Sequence, residues 1–145
     1  MTNPVEAEVI TAIREAFGED AAKLDDRSGI LVPVDMWLRV ATYLCKDRGF
    51  NYLGDLTAID YKDHFEILYR IISLEKNQSL LIRVESNDRE HPEVPSVITI
   101  WRGADFMERE VYDLMGINFL GRSPLRRIFL WEGFEGYPLR KDFSL

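Results

Sequence analysis

The chain has 145 residues, 46% of them hydrophobic and 12% aromatic, enough for one domain with a sizeable core. A formal charge of -7, one cysteine and two histidines argue against phosphate tracking, an internal disulfide and a Cys-ligated iron–sulfur cluster held by this chain alone. No apolar run approaches the roughly 20 residues that cross a bilayer, and Met1–Glu8 lacks the basic flank and apolar stretch of a secretory signal, so the cytoplasm is the default expectation.

The first helix is predicted to be capped by Asn3, with Pro4 in its first position and Glu6 as capping-box acid. Val5, Val9, Ala12, Ile13 and Ala16 form its apolar stripe, and Gly18 stops it. Gly29–Val34 reads as a short strand. Asp35 then caps a second helix whose Trp37, Val40, Ala41 and Leu44 face one way, ended by Gly49. Cys45 lies on this helix with no histidine neighbour to make a thiolate, which reads as a packed thiol.

Three strands are predicted next, near Phe50–Asp60, Phe65–Leu74 and Leu80–Glu85, with Lys76-Asn77-Gln78 turning between the last two. Asn87–Pro95 reads as a charged loop and Ser96–Trp101 as a short helix broken at Gly103. Asp105 is expected to cap the following helix, with Glu108 at the capping-box position and Gly116 beyond its end. Met107, Val111, Leu114 and Met115 make its apolar face. The expected fold is α+β, two layers, with helices on one side of a small mixed sheet.

From Phe119 onward neither the helical nor the strand period persists, yet six of the seventeen aromatics fall there. Charge changes as well: residues 1–120 carry a net -9 and residues 121–145 a net +2. An apolar, irregular, partly cationic segment is not a solvated tail. It must lie against its own domain or against another protein. The chain therefore divides into a helix–sheet domain over 1–120 and a C-terminal interface arm over 121–145.

The acids Glu108, Glu110 and Asp113 are the best place to look for catalysis, and a small stand-alone enzyme using them is a distant alternative. The structural reading is stronger. Glu108 has capping to do, Arg109 and Asp113 stand four apart on one helix face, and Arg126 and Arg127 can pair with the cluster to pin the segment that follows. Gly133 and Gly136 lack the strand-to-helix setting of a nucleotide loop. His64 and His91 share no metal-ligand spacing. The two basic pairs, Arg126-Arg127 and Arg140-Lys141, fall short of a lipid- or nucleic-acid-binding cluster and fit protein contact better. No catalytic, cofactor-binding or metal residue is assigned.

The stretch Trp101–Gly121, with Glu108-Arg109-Glu110-Val111-Tyr112-Asp113 inside it, resembles the signature of the 30 kDa subunit family of respiratory complex I. So do Leu125-Arg126-Arg127-Ile128 and the run Glu132–Phe143, and Leu53–Tyr61 resembles the family's first core strand. The resemblance covers about residues 30–145. It implies a cofactor-free structural subunit on the cytoplasmic side of a membrane-bound electron-transfer, ion-translocating complex. The implied partners are the large quinone-site subunit and the small iron–sulfur subunit, with no nucleic acid and no span of its own. By the same resemblance, interface positions are Glu108, Arg109, Glu110, Tyr112, Asp113, Arg126, Arg127, Trp131, Phe134, Tyr137, Pro138, Arg140, Lys141, Asp142 and Phe143. Where respiratory members usually show Gly-His-Pro, this chain has Gly121-Arg122-Ser123-Pro124, and later Gly136-Tyr137-Pro138. Met115 stands where an aromatic is usual. The equivalent subunit of a membrane-bound nickel–iron hydrogenase or ferredoxin-linked complex is therefore the alternative.

Overall fold

A computed structural model describes residues 4–125, 127, 130 and 135–142. Asn3, Arg126, Trp131, Phe134 and Phe143 lie outside the described residues, and so does the cap expected of Asn3. Three α-helices (α1 Pro4–Phe17, α2 Val34–Lys46, α3 Ala104–Met115) cover a four-stranded mixed sheet: the α+β class expected, in two layers. Its strands are β1 (Ile30–Leu31), β2 (Tyr52–Asp60), β3 (Phe65–Ser73) and β4 (Gln78–Ser86), in the order β1-β4-β3-β2. The β2–β3–β4 meander is antiparallel, and β1 adds to β4 in parallel. A register shift between Leu53 and Asp55 bulges β2, which lies at one edge of the sheet.

Alternation decides which face of the sheet is covered. Phe65, Ile67, Tyr69 and Ile71 of β3, with Leu80, Ile82 and Val84 of β4, are buried under the helices. Val9 and Ile13 of α1 and Trp37, Val40, Ala41 and Leu44 of α2 fill the space above them, as the helical stripes foretell. The Trp37 ring packs 4.7 Å from Tyr69 and 6.3 Å from Trp101, whose Nε1–H donates to the Phe50 carbonyl at 2.9 Å. Cys45 is half-buried, and burial raises its thiol pKa, in keeping with a packed thiol. Among the described residues no helix is long and apolar enough to cross a membrane.

Several local expectations need correction. Gly29–Val34 is not one strand: only Ile30 and Leu31 pair, and Val34 already opens α2. Pro33 holds the N-cap position, its ring fixing φ at -59°, so Asp35 sits inside the first turn and does not cap. The same displacement occurs at α3. The backbone turns of residues 101–105 run straight into the helix, Gly103 takes the cap position, and Asp105 is the second helical residue. Ser96–Trp101 is a single turn closed by Val97, not a helix. Glu93–Pro95, read as loop, is a strand (β5) pairing in parallel with Asn118–Leu120 (β6). Glu6 accepts from the Gly29 N–H at 3.2 Å and so ties α1 to the start of β1.

Candidate functional site

Helix α3 lies along β2 and carries two carboxylates on its buried side, Glu108 and Asp113, both with no exposed surface. Glu108 accepts from the Ser96 hydroxyl at 2.7 Å, the Val97 N–H at 2.9 Å and Arg122 Nη1 at 3.1 Å. It therefore fastens the β5–α3 connection and the residue just past β6 onto one helix. Burial raises its carboxyl pKa, and those three donors oppose the rise. Arg122 also meets Asp105, whose second partner is Arg109 at 3.1 Å. The hydrogen bond from Arg122 holds the Asp105 carboxyl below its ordinary value. Arg109 thus pairs with Asp105, one turn back, and not with Asp113.

Asp113 is paired across the chain. Its carboxylate lies 2.6 Å from Arg127 Nε and accepts from the Leu130 N–H at 3.3 Å. Arg127 also donates to the carbonyls of Asp113 (2.6 Å) and Gly136 (2.7 Å). Leu139 N–H donates to the Leu114 carbonyl at 3.0 Å, and Arg140 Nε to the Met115 carbonyl at 2.6 Å. The last carbonyls of a helix have no partner within it, and the negative end of its dipole favours cations. Here the C-terminal segment supplies both donors and charge. The Tyr137 ring lies between the two guanidiniums, 4.7 Å from Arg127 and 4.8 Å from Arg140, and meets Tyr112 edge-on at 6.5 Å. Arg140 also covers Phe65 at 5.0 Å, alongside Arg89 at 4.6 Å.

A third buried acid ends β2. Asp60 binds Arg89 through both carboxylate oxygens, and accepts from the N–H groups of Lys62 (2.7 Å) and Lys141 (2.8 Å). Arg89 reaches on to Asp142 at 3.2 Å. The hydrogen bond from Arg89 holds the Asp60 carboxyl far below the usual range. Such a group contributes stability above its unfolded pKa of about 3.9 and loses it as pH falls through the folded value. Asp60→Asn should therefore cost about 2 kcal/mol at pH 7. Urea unfolding of both proteins should show that gap closing below about pH 4.

Of the positions expected at an interface, Glu108 and Asp113 are internal, Tyr112, Arg127, Tyr137, Pro138 and Arg140 are half-buried, and Glu110, Lys141 and Asp142 are exposed. Glu108, Glu110 and Asp113 do not share one solvent-accessible site. Two are buried against different arginines, and Glu110 points to solvent. Arg122, Asp60, Arg89 and Ser96 complete the network, and the sequence alone does not single them out. A signal exists for Asp60: it occupies the core phase of β2, in step with Leu56 and Ala58.

A family model described as respiratory-chain NADH dehydrogenase, 30 Kd subunit, matches residues 30–145. The chain belongs to this family. The C subunit of NADH-quinone oxidoreductase from Moorella thermoacetica is 43% identical over 122 residues, covering 83% of this chain and 82% of the relative. The C/D subunit of NADH-quinone oxidoreductase from Phocaeicola vulgatus is 36% identical over 79% of this chain, but only 22% of that longer protein. Among solved structures, the membrane-bound sulfane sulfur reductase, an archaeal respiratory membrane complex, contains a chain similar to this one. That chain matches at 25% identity and a TM-score of 0.75, with 96% of this chain and 85% of the other covered. The family match spans α3, the three buried carboxylate–arginine pairs and the C-terminal segment.

Proposed function

We propose that this family member is a cofactor-free structural subunit, without catalytic residues of its own. It would serve in the peripheral arm of a membrane-bound electron-transfer, ion-translocating complex, on the cytoplasmic side. It braces the large quinone-site subunit and lies beside the small iron–sulfur subunit. The observation that carries this reading is where the charge of the matched region goes. Glu108, Asp113 and Asp60 are each used up by an arginine and by backbone N–H groups within the chain. Acids committed in this way hold parts together and leave no pair for proton transfer. The contact surface comprises Arg109, Glu110, Lys141 and Asp142, with Arg126, Trp131, Phe134 and Phe143 of the C-terminal arm. Exposed Phe106 and Leu139 add apolar area of the kind that interfaces cover. Glu108, Asp113 and Arg127 act indirectly, by fixing the arm that presents this surface. The longer C/D relative supports a large neighbour, since its name joins two subunit letters in one chain.

The equivalent role in a hydrogenase-like or ferredoxin-linked complex is the second reading, favoured by the likeness to a chain of the sulfane sulfur reductase complex. A tagged chain purified from detergent-solubilised host membranes tests both. It should bring down a large and an iron–sulfur subunit in equal amounts, with quinone-reducing activity and no nickel. Stoichiometric nickel in the captured complex would select the hydrogenase reading. Recovery of the chain alone, or turnover by the chain alone, would overturn the structural role.

A further inference from the structure

Away from the C-terminal cluster, one end of the β3–β4 ladder gathers side chains with metal-ligand chemistry. His64 immediately precedes β3 and Glu66 is two residues on, so both occupy the same phase of the strand. Glu66 pairs directly with Glu85 of β4. A ring nitrogen of His64 and one carboxylate oxygen from each glutamate all lie within 4.8 Å of one another. Two carboxylates placed opposite each other on antiparallel strands repel. Positive charge beside them offsets that repulsion.

The nearby guanidiniums supply only part of it. Arg83 and Arg27 approach Glu66 Oε2 at 3.3 and 3.5 Å, and Arg83 makes a closer contact, 2.6 Å, to Asp25. Arg27 is shared with Asp25 as well, at 3.4 Å. The Glu85 carboxylate makes no hydrogen bond or ion pair among the described residues. Asp25, Asp63, Glu66 and Glu85 against Arg27 and Arg83 leave two negative charges, the charge of one divalent cation.

The imidazole is prepared for such an ion. Its Nδ1 lies 2.7 Å from the Asp63 carboxylate, which makes Nδ1–H the donor and leaves the lone pair on Nε2. Nε2 is buried and has no hydrogen-bond partner among the described residues. Tyr61 stacks on the ring at 5.1 Å and 19°, and so holds its plane. A carboxylate behind one nitrogen and a buried lone pair on the other is the arrangement that orients metal-bound histidines.

We propose that His64 Nε2, Glu66 and Glu85 bind one divalent cation of the zinc class as a structural ion, not a redox or catalytic cofactor, with Asp63 as the positioning residue. An imidazole among the ligands favours zinc and its transition-metal neighbours over magnesium or calcium, which take oxygen-only sets. Three protein ligands leave a tetrahedral ion one position for water. The bound ion would replace repulsion between β3 and β4 by a tie.

Titration of the chelator-treated full chain by calorimetry tests this. One equivalent of zinc chloride should bind, and magnesium chloride should give no saturable heat. Glu85→Gln and His64→Gln should each weaken zinc at least 100-fold, and Asp63→Asn about 10- to 100-fold, while His91→Gln leaves it unchanged. Nitrogen-15 spectra of the unaltered chain guard against variants that fail to fold: zinc should shift Nε2 of His64 directly. Zinc affinity indifferent to Glu85→Gln and His64→Gln, or a His64 ring whose nitrogens do not respond to zinc, would overturn the site.

Discussion

Replacing Arg122 by alanine should lower unfolding stability by about 3–5 kcal/mol at pH 7, read from urea denaturation. Arg122 is 6% exposed and is the cation beside Glu108, which has no exposed surface. Without it a buried carboxylate keeps only a hydroxyl and one backbone N–H. The pH dependence has a definite sign. Burial already raises the Glu108 pKa, and removing its cation raises it further. Protonation then relieves the buried charge, so the deficit of Arg122→Ala should shrink as pH falls from 7 toward 5. Arg122→Met combined with Glu108→Gln should recover much of the loss at pH 7, because the amide keeps the Val97 and Ser96 bonds without a charge. Arg109→Ala, at a position 43% exposed, should cost less than about 1 kcal/mol. Equal losses for Arg122→Ala at pH 5 and pH 7 would contradict this account.

Gly116→Val should be nearly as damaging, by a different route. Gly116 ends α3 at φ +75°, a conformation that costs a side-chain-bearing residue roughly 1–2 kcal/mol. A Cβ there would also lie 2.6 Å from the Tyr137 ring and 2.8 Å from Arg140 Nη2. The guanidinium end can move, but the ring is held between two arginines. Crowding adds about 1–3 kcal/mol, and the segment around Tyr137–Arg140 must lift off the helix end. Hydrogen exchange should show the Leu139 amide losing protection, and capture of partner subunits should fall with it. Gly121 is the control. Its φ is +86° with nothing within 4 Å of a Cβ, so Gly121→Ala incurs backbone strain alone and leaves Leu139 protected.

The periodic parts of the fold are legible in the sequence because their partners are of one kind, the common core. Val9 and Ile13, Trp37 to Leu44, and Phe65 to Ile71 each announce a face. The short strands β5 and β6 announce nothing, since three residues hold no period and each one's partner is far away in sequence. Asp105 and Glu108 show how a local rule misleads. Acids three apart before an apolar run satisfy the capping pattern, yet Glu108 is buried by a loop and an arginine whose positions only the tertiary fold sets. His64 carries no metal signal when set beside His91, the other histidine. Its neighbours in space are Glu66, two residues away, and Glu85, which only the β3–β4 register places beside it.

The bulge in β2 bears on how an unassembled copy behaves. Among the described residues β2 is an outer strand with no strand beyond it, and such a row of open backbone groups invites a second chain to add on. The register shift between Leu53 and Asp55 interrupts that row, and Asp55 puts a charge beside the break. The bulge thereby guards this edge of an unassembled copy against strand-to-strand addition.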